Sequence, residues 1–132
     1  ITIIDTNIFV IDLRYQRDKN FGINKEFLNN ISKNGLGVTT LINLLELCGI
    51  LSFNLSSQQL IELFLYFPRH YRISVVPPPE LEGHLPRVRI EDVFKIITLR
   101  TNFGDALFIA TIKKYLPLAN TIVSWETSYW KN

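Results

Sequence analysis

Thiols, imidazoles and long apolar runs are scarce in this sequence, and each shortage removes a class of function. Cys48 is the one cysteine. No internal disulfide can form, and no second thiol stands ready to build a metal site. Set in an apolar segment, Cys48 reads as a buried structural thiol in a reducing compartment. The two histidines, His70 and His84, lack ligand spacing and partners, which disfavours zinc. His70 sits beside Arg69 and Arg72 and reads as a surface residue, whereas His84 falls in a proline-rich loop. No apolar run approaches the length of a membrane span, so no membrane partner is expected. The opening Ile1-Thr2-Ile3-Ile4-Asp5 has neither a basic n-region nor a small-residue cleavage site, and a cytoplasmic location is the expectation. Internal repeats, low-complexity tracts and interdomain linkers are also lacking. What remains is a chain of 132 residues, 47% hydrophobic and 20% charged, expected to form one domain (1–132) with a core that needs no staples. The net charge of +2 decides little by itself. A chain with little net charge can still draw in a polyanion through basic residues gathered in one place, so the distribution of charge matters more than the sum.

The elements alternate in type, which predicts an α/β sandwich, three layers deep, around a mainly parallel sheet of four to five strands. Ile1–Ile4 is a β-branched run ending at Asp5, a buried first strand. A polar, charged segment follows from Asp12 to Gly22. Ile23–Asn34 reads as an amphipathic helix with Ile23, Phe27 and Ile31 on one face and Gly35 past its end. Gly37–Thr40 is the second strand, running into a helix over Leu41–Leu51 that is apolar nearly all round. Ser56-Ser57-Gln58-Gln59 opens a further helix through Phe67, stopped by Pro68. Arg72–Val76 is a third strand ended by Pro77-Pro78-Pro79, and the loop from Pro77 to Arg89 is the segment expected to move most. Helices at Glu91–Arg100 and Phe103–Leu116, a strand at Thr121–Ser124 and a short turn or helix from Trp125 to Trp130 complete the reading.

Four carboxylates stand out against this frame. Asp5 ends a hydrophobic strand, where open α/β sheets place their ligand crevice, with Thr6 and Asn7 beside it. It could equally cap the turn that leaves the strand. Glu46 and Asn43 are nearly the only polar positions of an otherwise apolar helix and share a face, so that stripe meets either solvent or a polar site. Asp105 stands three residues after Asn102, a spacing that also describes an ordinary helix start. Glu126 follows the last strand and read singly is as much a surface residue. Together the four would repel one another, and hard cations such as Mg²⁺ or Mn²⁺ relieve that repulsion. A site of this kind activates water against a phosphodiester.

The same residues carry a resemblance to the PIN-domain family, which includes the toxin components of prokaryotic toxin–antitoxin pairs. Ile3-Ile4-Asp5-Thr6-Asn7-Ile8-Phe9 resembles the family's opening strand and acid, and Val38-Thr39-Thr40-Leu41-Ile42-Asn43-Leu44-Leu45-Glu46-Leu47 its strand entering a Glu-bearing helix. Phe103-Gly104-Asp105-Ala106-Leu107-Phe108-Ile109-Ala110-Thr111 is similar to the third motif, and Ile122-Val123-Ser124-Trp125-Glu126-Thr127-Ser128-Tyr129-Trp130 to the closing one. In the closing motif Ser124 stands where Thr is usual, Glu126 where Asp or Asn is usual, and Trp130 where an aromatic is usual. The segment between Asp105 and Glu126 is slightly long, and the extra C-terminal strand of some relatives is not expected.

The resemblance implies an endoribonuclease that cuts RNA with Mg²⁺ or Mn²⁺. Asp5, Glu46 and Asp105 would be the core metal ligands and Glu126 a second-site or water-mediated one, all four being the catalytic acids. Thr6, Asn7 and Ser124 would orient them. Arg14, Arg17 and Lys19 would contact phosphates and Tyr15 would stack on a base, against the alternative of an ordinary solvated loop. Homodimerisation and an antitoxin partner are expected by the same analogy. An RNA-processing factor with the same chemistry, and a catalytically weak RNA- or protein-binding module, are the alternatives. That all four positions remain acidic favours activity.

Overall fold

The computed structural model describes residues 1–125. The sheet has four strands, β1 (Thr2–Ile4), β2 (Gly37–Thr40), β3 (Ser74–Val76) and β4 (Thr121–Val123), all parallel, in the order β3-β2-β1-β4. Parallel neighbours require crossovers, and helices supply them: α1 (Thr6–Arg14) and α2 (Phe21–Asn34) lie between β1 and β2, and α3 (Leu41–Leu51) and α4 (Ser57–Tyr71) between β2 and β3. Between β3 and β4 come α5 (Ile90–Ile97) and α6 (Phe103–Tyr115). Among the described residues no helix is long and apolar enough to cross a membrane.

Helices pack on both faces of the sheet, and adjacent residues of β1 show how. Ile4 joins a core with Ile8 and Phe9 of α1, Leu28 and Ile31 of α2, Leu44 and Leu47 of α3, and Phe64 and Phe67 of α4. Ile3 points the other way, into Val38, Phe108 and Ile112. Strand alternation therefore commits α1–α4 to one side and α6 to the other. A third cluster, Val93, Ile96, Ala106 and Ala110, holds α5 to α6. Helix α2 comes close to β2 because residue 37 has no side chain: a Cβ on Gly37 would meet Ile31 at 2.4 Å and Ile73 at 3.1 Å.

Several sequence expectations shift. The segment from Asp12 to Gly22 is helical as far as Arg14, and Asp12 is buried. Its carboxylate is satisfied by Lys25 Nζ at 3.0 Å and by Tyr71 Oη, which donates at 2.7 Å. Those partners lie on α2 and α4, so the residue type alone gave no sign of them. Burial and the neighbouring Asp12 carboxylate raise the Tyr71 phenol far above its ordinary pKa, which keeps it a donor. Tyr71→Phe is expected to cost about 1.5–3 kcal/mol, the range for a hydrogen bond to a charged group, as read from urea unfolding.

Helix α2 begins two residues earlier than expected and buries Asn24, Leu28 and Ile31, leaving Ile23 65% exposed. Pro68 does not stop α4, which continues to Tyr71. A proline there removes one N–H bond, but buried Phe67 and Tyr71, packed on each other and on Phe9 at 4.8–5.0 Å, anchor the last turn. Arg72 takes a left-handed φ of 54° as the cap of α4, so the third strand starts at Ser74 rather than Arg72. Helix α5 ends at Ile97, short of Arg100, which itself has a φ of 69°.

Candidate functional site

The strand order places a topological switch beside β1. From β1 the chain moves outward to β2 and β3, then returns to place β4 on the other side of β1. Such a reversal opens a crevice beyond the carboxyl ends of the two strands at the switch. Asp5 leaves β1 at that point, and Ser124 leaves β4. Ser124 Oγ donates to Asp5 Oδ2 at 2.7 Å across the gap, and Asp5 N–H donates to the Val123 carbonyl at 3.0 Å.

Asp5 stands both at the start of α1 and at the crevice. It is 6% exposed, caps α1 by accepting Thr6 N–H at 2.8 Å on Oδ1, and faces the crevice. Asn43 brings a further donor: its Nδ2 reaches Asp5 Oδ1 at 3.3 Å and Thr6 Oγ1 at 2.9 Å. Asn43 is held in turn by a reciprocal cap at the start of α3. Its N–H donates to Thr40 Oγ1 at 3.2 Å, and its Oδ1 accepts from Thr40 Oγ1 at 2.6 Å and Thr40 N–H at 3.3 Å. Asn7 Nδ2 donates to Ser124 Oγ at 3.1 Å, and Asn7 Oδ1 accepts Trp125 N–H at 3.3 Å. Thr6 and Ser124 thus contact the Asp5 carboxylate directly, and Asn7 reaches it through Ser124.

One helical turn beyond Asn43, Glu46 reaches the same crevice from α3, and Asp105 reaches it from the first turn of α6. A Cβ built on Gly104 would lie 3.8 Å from Glu46 Oε2, which shows how closely α6 begins beside that carboxylate. Asp105 also keeps its helix-start role: Asn102 Oδ1 accepts Asp105 N–H at 2.9 Å, and Asn102 Nδ2 donates to Asp105 Oδ2 at 3.0 Å. The crevice has a volume of about 360 Å³, with Tyr15 and the apolar Val10, Ile11 and Ile50 along its walls. Glu126 and Trp130 lie outside the described residues.

Glu46 feels the other two acids. Glu46 is exposed as a residue, yet partial burial of its carboxyl group raises its pKa, and the charges on Asp5 and Asp105 add to the rise. A hydrogen bond from Thr6 works in the opposite direction. The folded chain therefore binds a proton on Glu46 at pH values where the unfolded chain has released it, and stability falls as pH rises from the ordinary carboxylate range through the raised value. With chelator present, Glu46→Gln is expected to raise the melting temperature at neutral pH and to flatten that fall. An unchanged pH profile would show that Glu46 is not held among like charges.

Among the described residues no group of three His, Cys, Asp or Glu is drawn together closely enough to hold an ion as it stands. The donor chemistry still fits a hard cation. Three carboxylates from three elements, hydroxyls and an amide line one crevice, and its lining contains neither thiol nor imidazole. Of the proposed RNA contacts, Tyr15 lines the crevice, while Arg14, Arg17 and Lys19 are exposed and do not. Arg14 stacks on Tyr15 with its guanidinium 5.7 Å from the ring centroid and also bonds Asn54. Cys48 is a half-buried thiol whose pKa is pushed up by burial, as suits a structural residue. The sequence reading missed Asn43 as a site residue, although its three-residue spacing from both Thr40 and Glu46 carried the signal. No family model matches the chain, and no curated protein matches it either.

Proposed function

We propose that the chain is a PIN-type, metal-dependent endoribonuclease whose catalytic acids are Asp5, Glu46 and Asp105. One observation carries this reading: three carboxylates from the end of β1, from α3 and from the start of α6 converge on a single crevice at the switch point of a parallel sheet. Partial burial of its carboxyl group raises the pKa of Glu46, and the nearby Asp5 and Asp105 charges add to that rise, a cost that a bound cation would offset. Mg²⁺ or Mn²⁺ is the expected cofactor, held by these three residues with Glu126 as a further ligand; when bound, it would supply a water nucleophile and stabilise the leaving oxygen.

The chain's own contribution is placement. Asn43, Thr6 and Ser124 fix the Asp5 carboxylate from three sides, and Asn102 orients Asp105. Tyr15 offers a ring at the crevice wall on which a base can stack. Incubation of the purified protein with structured RNA and Mg²⁺ or Mn²⁺ tests the reading. Cleavage that stops with chelator supports it, and cleavage that survives chelation overturns it. RNA binding without cleavage under either metal would favour a binding module instead.

A toxin role under an antitoxin that covers the crevice, and homodimerisation, belong to the same proposal. Leu85, Ile90, Phe94 and Phe103, each more than 60% exposed, form an apolar face beside α6, and a face of that kind favours self-association. Phe94→Asp is expected to convert a dimer to a monomer in sedimentation equilibrium. A wild-type protein that is monomeric across the concentration range would remove the dimer from the proposal.

A further inference from the structure

The described surface carries a second concavity, between α5 and α6, with a volume of about 470 Å³ and a strong excess of positive charge. Arg87 and Arg89 reach it from the segment before α5, Lys95 from α5 itself, and Lys113 and Lys114 from the last turn of α6; Asp92 is the one carboxylate of the lining. Its floor is apolar, with Ile96 and Ala110. Glu91, outside the lining, pairs with Arg89 at 2.6 Å and with Lys95 at 3.5 Å. Lys114 Nζ donates to the Arg87 carbonyl and lies 5.5 Å from the Tyr115 ring centroid. The Arg87 guanidinium and the Lys113 ammonium form no ion pair among the described residues.

Five cations around one small cleft repel each other, and an apolar floor strengthens the field they share. A ligand with several spaced anionic groups offsets that repulsion better than one isolated anion. Arginine forks match phosphate oxygens in pairs, and lysines add point charge without selecting a base. The position fits as well. Asp105 opens α6 and Lys113 closes it, so the cleft lies roughly 12 Å along the helix from the acidic crevice, and about a quarter turn around it, at 1.5 Å rise per residue. An acidic crevice repels a polyanion, so cations nearby must supply the attraction.

From charge, shape and position we infer that the α5–α6 cleft binds the phosphodiester backbone of the RNA strand cleaved at the acidic crevice. The inference rests on the nuclease reading for its substrate. It assigns backbone recognition to Arg87, Arg89, Lys95, Lys113 and Lys114 rather than to Arg14, Arg17 and Lys19. Contacts of this type give affinity and register without sequence preference.

The test is equilibrium binding of a fluorescent single-stranded RNA to the full chain in chelator, over a series of salt concentrations. The Arg87→Ala/Lys113→Ala double variant, both positions being exposed, is expected to fold as the wild type does, to weaken binding on the order of tenfold at low salt, and to reduce the salt slope by about 0.7 for each lost phosphate contact. An Arg14→Ala/Arg17→Ala variant is expected to change both far less. Affinity and slope unchanged in the first variant would overturn the inference, as would a polyglutamate of equal charge competing as well as unlabelled RNA, which would point to an acidic protein partner. A cleavage assay beside the binding series separates the two claims. RNA binding at this cleft without cleavage by the wild type would sink the nuclease reading alone, whereas wild-type cleavage with undiminished binding by the double variant would sink the cleft alone.

Discussion

Asp5→Asn is expected to reduce RNA cleavage by more than about a hundredfold while leaving the fold intact. The lower bound follows from metal sites in general, where loss of an outer partner alone costs about 10–100-fold, so loss of a direct ligand costs more. The fold survives because asparagine caps a helix as well as aspartate does, and Thr6 N–H keeps its acceptor. On the other oxygen, an asparagine amide would donate to Ser124 Oγ, and the half-buried Ser124 hydroxyl turns its own proton toward solvent. The substitution thus removes charge with little change in shape. Kinetics of RNA cleavage beside a thermal melt check both halves, and a cleavage rate near wild type would remove Asp5 from the chemistry.

Asn43→Ala is expected to destabilise the chain by about 1.5–5 kcal/mol and to lower activity by roughly 10–100-fold. Two losses combine. The reciprocal cap at the start of α3 goes, a contribution of about 0.5–2 kcal/mol. The buried Asp5 and Thr6 oxygens also lose the Asn43 amide as a donor, at about 1–3 kcal/mol. Asn43→Asp distinguishes positioning from capping. An aspartate keeps the acceptor for Thr40 but sets a carboxylate where the amide now lies 3.3 Å from Asp5. Like-charge repulsion raises the pKa of the pair in the folded chain, so with chelator this variant is expected to lose stability as pH rises out of the carboxylate range. A variant as stable at neutral pH as at pH 5 would show that residue 43 does not face Asp5 closely.

These expectations show where sequence reasoning reached and where it stopped. The strands at Gly37–Thr40 and near Ile4, and the helix over Leu41–Leu51, were legible because β-branched runs, caps and apolar spacing are local signals. The stripe formed by Asn43 and Glu46 was legible for the same reason, a buried helix admitting few polar residues, although the sequence left open whether it meets solvent or a polar site. The contact from Asn43 to Asp5 spans 38 positions and was not legible. Nor was the burial of Asp12, whose partner Tyr71 lies 59 positions away. Pro68 misled because its cost is local and visible, while the aromatic packing that outweighs it is tertiary. The basic cleft escaped for a similar reason. Its cations are spread over a loop and two helices, and no single segment is strongly charged, whereas Arg14, Arg17 and Lys19 cluster in sequence and so drew notice.

The central claim is that Asp5, Glu46 and Asp105 serve one cation site. Titration of Mn²⁺ into the wild type and into Asp5→Asn, Glu46→Gln and Asp105→Asn, followed by the electron paramagnetic resonance signal of free Mn²⁺, tests it most directly. The account predicts that the wild type removes Mn²⁺ from solution and that each substitution weakens the same uptake. Uptake by all three variants equal to that of the wild type would contradict it.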